Sequence, residues 1–126
     1  MKTHARMMHV LVADDDVNVL AMVADTLRTE GHEVETALDG AHALQKLATT
    51  ERRFDLIIAD GRMPHLDGWR LIMQARAGGY KGKIVLFSAW LNDEERARYR
   101  DLQIDHVLDK PPKAGELMQV VREMAA

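Results

Sequence analysis

A chain of 126 residues, with 47% hydrophobic and 29% charged residues, fits a single globular domain with its own hydrophobic core. The net charge of -3 gives no electrostatic reason to expect nucleic-acid binding, and the absence of cysteine excludes disulfides and thiolate metal sites. No signal-peptide apolar region and no run of about 18 apolar residues occurs, so we expect a cytoplasmic protein without a membrane segment.

Short apolar runs alternate with segments of helical periodicity in the first half of the chain. The pattern predicts a buried strand over 8–13, a helix over 17–30, a short strand over 33–37 and a helix over 40–49. Gly31 stands where a left-handed cap would end the first helix. The predicted inward residues of the second helix are Ala41, Leu44, Leu47 and Ala48.

The same alternation continues in the second half. It predicts strands over 54–59, 83–88 and 104–108, and a fourth helix over about 92–102. The third helix should begin after Asp67 as its N-cap and end at Gly78-Gly79. Its predicted inward residues are Trp69, Ile72 and Met73, and those of the last helix are Leu117, Val120, Val121 and Met124.

The fourth helix has few apolar residues with which to pack. Residues 93–101 are mostly charged, so we expect this helix to be the least firmly packed of the five. The residues that it could bury are Leu91, Ala97, Tyr99 and Leu102.

Five strand–helix units predict an α/β fold, in which helices cover both faces of a parallel sheet. For this length we expect a flavodoxin-like, doubly wound sheet with strand order 2-1-3-4-5. That order places the ends of the first and third strands side by side, so Asp14, Asp15 and Asp60 should be neighbours.

Polar side chains follow four of the predicted strands. Asp14 and Asp15 follow the first, Asp60 the third, Ser88 closes the fourth and Lys110 follows the fifth. Clustered carboxylates favour a divalent cation, and Mg²⁺ prefers oxygen ligands shared with phosphate. A carboxylate can also attack a phosphoryl group and form an acyl phosphate. The pattern therefore predicts a site for Mg²⁺ and phosphoryl transfer.

Over about residues 8–125 the chain resembles a receiver domain of the two-component response regulator family, of the single-domain, chemotaxis-regulator-like kind. The resemblance is specific because several separate motifs match in the expected order. These motifs are Val12-Ala13-Asp14-Asp15-Asp16, Asp55-Leu56-Ile57-Ile58-Ala59-Asp60, Met63-Pro64-His65-Leu66-Asp67-Gly68, Ser88-Ala89 and Lys110-Pro111.

The resemblance implies a role for each metal-binding residue. Asp15 corresponds to the direct Mg²⁺ ligand of the family and Asp14 to the residue that acts largely through water. Asp60 corresponds to the phosphoacceptor, which also contacts the metal. The family's backbone carbonyl ligand falls on Arg62, whose side chain is not implicated.

The resemblance also implies the remaining site residues and a proline geometry. Ser88 corresponds to the hydroxyl residue that turns toward the phosphoryl group, and Lys110 to the family's lysine. The cis peptide of the family would be Lys110-Pro111, which the low cis penalty of proline allows.

Three features of the sequence depart from the family pattern. Val107 replaces the usual aromatic switch residue, Gln103-Ile104 replaces the usual Gly-Ala, and Pro112 stands where phenylalanine is common. We therefore expect an unusual route of signal output, in which the loop after Ser88, including Trp90, moves the fourth helix.

The expected function is a phosphorylation-dependent signalling switch rather than an enzyme. A histidine kinase or phosphotransfer protein would phosphorylate Asp60, and a downstream protein would bind the face formed by the fourth helix, fifth strand and fifth helix. We expect residues 1–126 to form one receiver domain. Two alternatives are a haloacid-dehalogenase-like phosphatase with Asp14 as nucleophile and a phosphorylation-independent pseudo-receiver that only binds partners.

Overall fold

The computed structural model describes residues 6–89, 91–113 and 115–126. In these residues five strands alternate with five helices. The strands are β1 (His9–Ala13), β2 (Glu33–Ala37), β3 (Leu56–Ala59), β4 (Lys83–Ser88) and β5 (His106–Asp109). The helices are α1 (Val17–Thr29), α2 (Gly40–Thr49), α3 (Gly68–Ala77), α4 (Asp93–Arg100) and α5 (Glu116–Ala125). None of the helices described is long and apolar enough to cross a membrane.

All neighbouring strands of the sheet run parallel, in the order β2-β1-β3-β4-β5. This confirms the flavodoxin-like strand order that the sequence predicts. In the register of the two central strands, Ala13 pairs with Ala59. Asp14 and Asp60, the next residues in the chain, therefore leave the sheet side by side.

The sheet separates two hydrophobic layers, because successive side chains of a strand point to opposite faces. The three central strands are buried on both faces, as their almost wholly apolar sequences predict. One layer lies under α1 and α5 and includes Val12, Ile58, Phe87 and Leu108. The other lies under α2, α3 and α4 and includes Leu11, Ile57, Leu86 and Tyr99.

Aspartates and glycines set the ends of several helices. The side chain of Asp67 accepts a hydrogen bond from Arg70 N at 2.9 Å, which confirms the predicted N-cap of α3. Asp16 and Asp39 cap α1 and α2 in the same way. Gly31 has a φ of 91°, so the predicted left-handed residue after α1 is also confirmed.

The start of the last strand differs from the prediction by two residues. β5 begins at His106 rather than at residue 104. Gln103 adopts a φ of 58°, and the Asp105 carboxylate accepts from Ile84 N at 2.8 Å. A residue in the left-handed region interrupts an extended strand, so pairing starts only after this turn.

Some helix faces also differ from the prediction. In α2 the only buried residues are Gly40 and Ala43, whereas Ala41 and Ala48 are exposed. In α3 the buried apolar side chains are Leu71, Ile72 and Ala75, and both Trp69 and Met73 are only half-buried. In α4 Ala97 is exposed and Tyr99 is the one buried residue. The expectation of a weakly packed α4 therefore agrees with its burial pattern.

Candidate functional site

Three carboxylates and one ammonium group meet at the carboxyl ends of β1, β3 and β5. Asp14, Asp15 and Asp60 each present an oxygen within 4.8 Å of the other two. Asp14 and Asp60 are buried, whereas Asp15 is exposed. The structure thus brings together the three residues that the sequence predicts as neighbours.

Lys110 neutralises part of this negative charge. Its Nζ lies 2.5 Å from Asp14 Oδ2 and 3.3 Å from Asp60 Oδ2. Although burial alone would lower the pKa of Lys110, the hydrogen bond to Asp14 and the charge of Asp60 raise it above its ordinary value. The Lys110-Pro111 peptide is cis, as the resemblance implies. The backbone N–H of Lys110 donates to Ser88 O at 3.0 Å, which joins the ends of β4 and β5.

Asp60 is held in place by backbone groups. Its N–H donates to Ala13 O at 2.9 Å, and its Oδ1 accepts from Arg62 N at 3.2 Å. Burial raises the pKa of Asp60 above its ordinary value, the charge of Lys110 opposes this effect, and Asp14 reinforces it. A carboxylate whose pKa is raised by burial and which lies beside a charged partner is a candidate reactive group.

Ser88 is the one described residue with a buried side-chain polar atom that has no hydrogen-bond partner. Ser88 is 2% exposed, and its Oγ would lie 3.0 Å from a Cβ placed on Gly61. Leaving a buried hydroxyl unsatisfied costs about 1–3 kcal/mol, so such a group is a natural place to look for a ligand.

An open cavity of about 550 Å³ adjoins the acidic cluster between the β3–α3 loop and α4. Arg62 and Glu95 form an ion pair at 3.4 Å on its wall. The cavity leads from Asp15 toward α4. Its lining residues include Asp15, Gly61, Met63, Asp67, Trp69 and Tyr99.

The cluster suits a hard divalent cation. Two oxygens on one Mg²⁺ ion are at most about 4.2 Å apart at ordinary ligand distances, so separations of up to 4.8 Å require only small adjustments. All the donors are carboxylates, which Mg²⁺ prefers. Asp14 Oδ1 also accepts from Asp16 N at 2.9 Å, so part of its capacity is already used.

Sequence reasoning missed the contacts between α3 and α4. The Trp69 indole N–H donates to Arg98 O at 3.1 Å, and the Arg98 guanidinium lies 4.5 Å from the centre of a Trp69 ring. The sequence predicts that Tyr99 is an apolar anchor of α4, but it does not predict that Tyr99 lies close to the site. Helical periodicity identifies a buried face without saying what lies opposite it. Trp90, which the predicted output route includes, lies outside the described residues.

Comparisons with known proteins agree on one family. A profile of the response regulator receiver domain matches residues 10–122. The transcriptional regulatory protein PrrA of Mycobacterium tuberculosis is 37% identical over 124 residues, which are 98% of this chain and 52% of that protein. The chain thus spans about half the length of this relative.

Solved structures agree as well. The chemotaxis protein CheY4 of Vibrio cholerae is 30% identical with a TM-score of 0.80. The response regulator protein TrrA of Thermotoga maritima, in complex with Mg²⁺-BeF, is 29% identical with a TM-score of 0.80. Each alignment covers 94% of this chain and 99% of the other chain.

Proposed function

Since the chain belongs to the response regulator receiver domain family, we propose that Asp60 is its phosphoacceptor. Members of this family are phosphorylation-dependent signalling switches of two-component systems, and that is the function of this chain. The observation that carries the assignment of Asp60 is its environment. Asp60 is buried beside Asp14 and contacts Lys110. The next residue, Gly61, lies against the unpartnered Ser88 hydroxyl.

Each side chain has a task in the proposed transfer. An Asp60 oxygen attacks the phosphorus of a phosphohistidine, the O–P bond forms and the P–N bond breaks, and the donor histidine leaves. Lys110 places positive charge beside the oxygens that become negative, and Ser88 Oγ donates a hydrogen bond to one of them. The backbone N–H of Arg62 keeps the attacking carboxylate oriented.

We assign a Mg²⁺ site to Asp14, Asp15, Asp60 and the backbone carbonyl of Arg62. The three close carboxylates support this assignment, and the fourth ligand rests on the family resemblance. Bound Mg²⁺ supplies positive charge that neutralises the carboxylates and the phosphoryl oxygens. Lys110 would share this task with the metal, because its Nζ contacts Asp14 Oδ2 and Asp60 Oδ2.

The proposed partners are a donor and a receiver of the signal. Receiver domains accept phosphate from histidine kinases, and a kinase or phosphotransfer protein is the proposed donor here. The proposed output face is α4, β5 and α5, with a downstream protein as its partner. Support for that face comes from α4, seven of whose eight residues are not buried. We place the domain in the cytoplasm, treat 1–126 as one receiver domain and propose no catalytic turnover of a separate substrate.

The two alternative functions fit the site less well. Asp14 is buried, and its oxygens are held by shorter contacts than those of Asp60. Its Oδ2 lies 2.5 Å from Lys110 Nζ and its Oδ1 accepts from Asp16 N at 2.9 Å, whereas the Asp60 oxygens lie 3.3 Å from Lys110 Nζ and 3.2 Å from Arg62 N. This argues against a dehalogenase-like nucleophile. A pseudo-receiver without phosphorylation would leave the complete set of Asp60, Ser88 and Lys110 without a use.

Acetyl phosphate with Mg²⁺, followed by mass spectrometry of the digested protein, tests the assignment. We expect a single phosphoryl adduct on the peptide that contains Asp60, and none in Asp60→Asn. Asp39→Asn is the matched control, because it makes the same substitution at the N-cap of α2 and leaves the acidic cluster intact. An adduct on Asp14, or stoichiometric labelling of Asp60→Asn, would contradict the proposal.

A further inference from the structure

Helix α4 buries one side chain among the residues that the structure describes, and that side chain is Tyr99. Tyr99 is 6% exposed and belongs to the hydrophobic cluster that includes Met63, Leu86 and Leu91. The other residues of the helix are exposed or half-buried. The position of α4 against the sheet therefore depends largely on where the Tyr99 ring lies.

The hydroxyl of Tyr99 reaches the phosphoacceptor site. A Cβ on Gly61 would lie 3.0 Å from Ser88 Oγ and 3.4 Å from the Tyr99 hydroxyl, so both hydroxyls flank the residue that follows Asp60. Burial, and then the carboxylate of Asp67, raises the pKa of Tyr99 to about 12. Tyr99 is therefore a neutral O–H donor, close to a buried serine oxygen that has no partner.

Val107 cannot provide the same link. It belongs to the same cluster and is half-buried, but its side chain has no polar atom that could follow the Ser88 hydroxyl. In the family resemblance this position carries the aromatic switch residue. The described aromatic side chain that approaches Ser88 from the output face is instead Tyr99, which lies on α4.

We propose that Tyr99 is the positioning residue that couples Ser88 to α4. When Ser88 turns toward a phosphoryl group on Asp60, the Tyr99 hydroxyl follows the Ser88 oxygen and carries the last turn of α4 with it. This inference rests on the proposed role of Asp60. It differs from the expected route through the loop after Ser88, because the moving group is a side chain of the helix itself.

The other contacts of α4 are weak enough for such a movement. Its first turn is held by the ion pair of Arg62 with the half-buried Glu95, and its last turn by the Trp69 contacts with Arg98. Between them, an exposed ion pair joins Arg96 to Asp109 at the end of β5. Exposed pairs of this kind contribute little to stability. One hydrogen bond to a buried hydroxyl changes an equilibrium constant by about fivefold. That is enough to change which of two helix positions of nearly equal energy is the more populated.

Amide hydrogen exchange of residues 93–102, with and without beryllofluoride and Mg²⁺, measures the coupling. The test variant is Tyr99→Phe, which keeps the ring and removes only the hydroxyl. The matched control is Tyr80→Phe, because the hydroxyl of Tyr80 donates to Lys83 O at the opposite end of β4. A second variant, Ser88→Ala, removes the Ser88 hydroxyl and leaves Tyr99 intact.

A second readout is the emission of Trp69, which packs against Arg98 of α4. The chain has two tryptophans, so Trp90→Phe leaves Trp69 as the sole emitter. In this background, beryllofluoride should change the emission when Tyr99 is present and should change it much less in Tyr99→Phe.

We expect Tyr99→Phe to bind beryllofluoride with nearly wild-type affinity and to lose most of the exchange change over residues 93–102. Tyr80→Phe should keep it. If the role of Tyr99 is purely structural, the melting temperature should fall in both Tyr99→Phe and Tyr80→Phe while the exchange change over residues 93–102 is kept, and this would overturn the coupling. A full exchange change in Ser88→Ala would overturn it as well. A wild-type protein that does not bind beryllofluoride would instead overturn the role of Asp60.

Discussion

Gly68, the first residue of α3, lies against the backbone of the phosphoacceptor. A Cβ at this position would lie 2.2 Å from Asp60 O and 2.9 Å from Gly61 Cα. The first distance is about 1 Å shorter than a close carbon–oxygen contact. Both partners are backbone atoms, which cannot rotate away as a side chain can. Gly68→Ala must therefore push the start of α3 away from the end of β3.

We expect Gly68→Ala to lower the free energy of unfolding by about 3 kcal/mol, at the upper end of the usual overpacking cost. For 126 residues this corresponds to a fall in the melting temperature of about 10 °C. Because the strained atoms belong to Asp60 and its neighbour, affinity for beryllofluoride with Mg²⁺ should fall as well. Circular dichroism during heating and urea unfolding measures the first effect, and calorimetric titration measures the second.

Gly78, at the other end of the same helix, provides the matched control. Its φ is −80° and an added Cβ would lie 3.3 Å from Gln74 O, which is a tight but tolerable contact. Gly78→Ala should change the stability by no more than about 1 kcal/mol, and beryllofluoride binding should stay the same. If Gly68→Ala is as stable as the wild type and binds beryllofluoride equally well, the close approach of α3 to Asp60 does not constrain the site.

Three further predictions concern charge. The raised pKa of Asp60 means that its charged form destabilises the folded state, so Asp60→Asn should be more stable than the wild type at pH 7. This difference in stability should disappear as the pH falls below 3.8, the ordinary pKa of the group. Equal urea midpoints of the two proteins across this pH range would contradict the prediction. Mg²⁺ at about ten times its Kd should raise the melting temperature of the wild type by about 5 °C, and Asp15→Ala should remove most of the rise. Without metal, Lys110→Ala should lower the free energy of unfolding by about 3 kcal/mol, because two buried carboxylates lose their cation. Mg²⁺ should then stabilise this variant more than it stabilises the wild type. An unchanged melting temperature would place Lys110 outside the charge network.

The strand ends could be predicted because they depend on local sequence and on one topological rule. Four apolar runs each end in a polar residue, and the order of a doubly wound sheet then determines which ends are adjacent. In the structure, one carboxylate oxygen of each predicted neighbour (Asp14, Asp15 and Asp60) lies within 4.8 Å of the other two. The carboxyl ends of parallel strands share one edge of the sheet, so a correct strand order determines the positions of several site residues at once.

The helix faces were harder to predict, because burial of a helix depends on its neighbours. Ala41 and Ala48 fit an apolar stripe of α2, yet both are exposed, and Ala48 lines a groove between α2 and α3. Ala97 fits the same pattern in α4 and is also exposed. Periodicity gives the direction in which a side chain points, but only tertiary packing decides whether another element covers it.

The left-handed turn before β5 has a signal in the sequence, at position 103. The family pattern places glycine at position 103, which indicates a positive φ, and Gln103 adopts a φ of 58° there. A side chain in this region carries a steric cost that glycine does not. The backbone conformation is therefore kept despite the substitution, and the strand begins two residues later than its apolar pattern predicts.

The distribution of packing between the site and α4 explains how a small chemical event can be transmitted. Asp14, Asp60 and Ser88 stand at the ends of strands that are buried on both faces, so these side chains start from fixed positions. Helix α4, by contrast, depends on one buried ring and a few exposed polar contacts. When a phosphoryl group adds charge to Asp60, the sheet cannot yield without losing core packing, whereas α4 can move at little cost. The strain of phosphorylation should therefore be relieved at α4, and the Tyr99 hydroxyl, which lies beside Gly61, is the part of that helix proposed to respond to it.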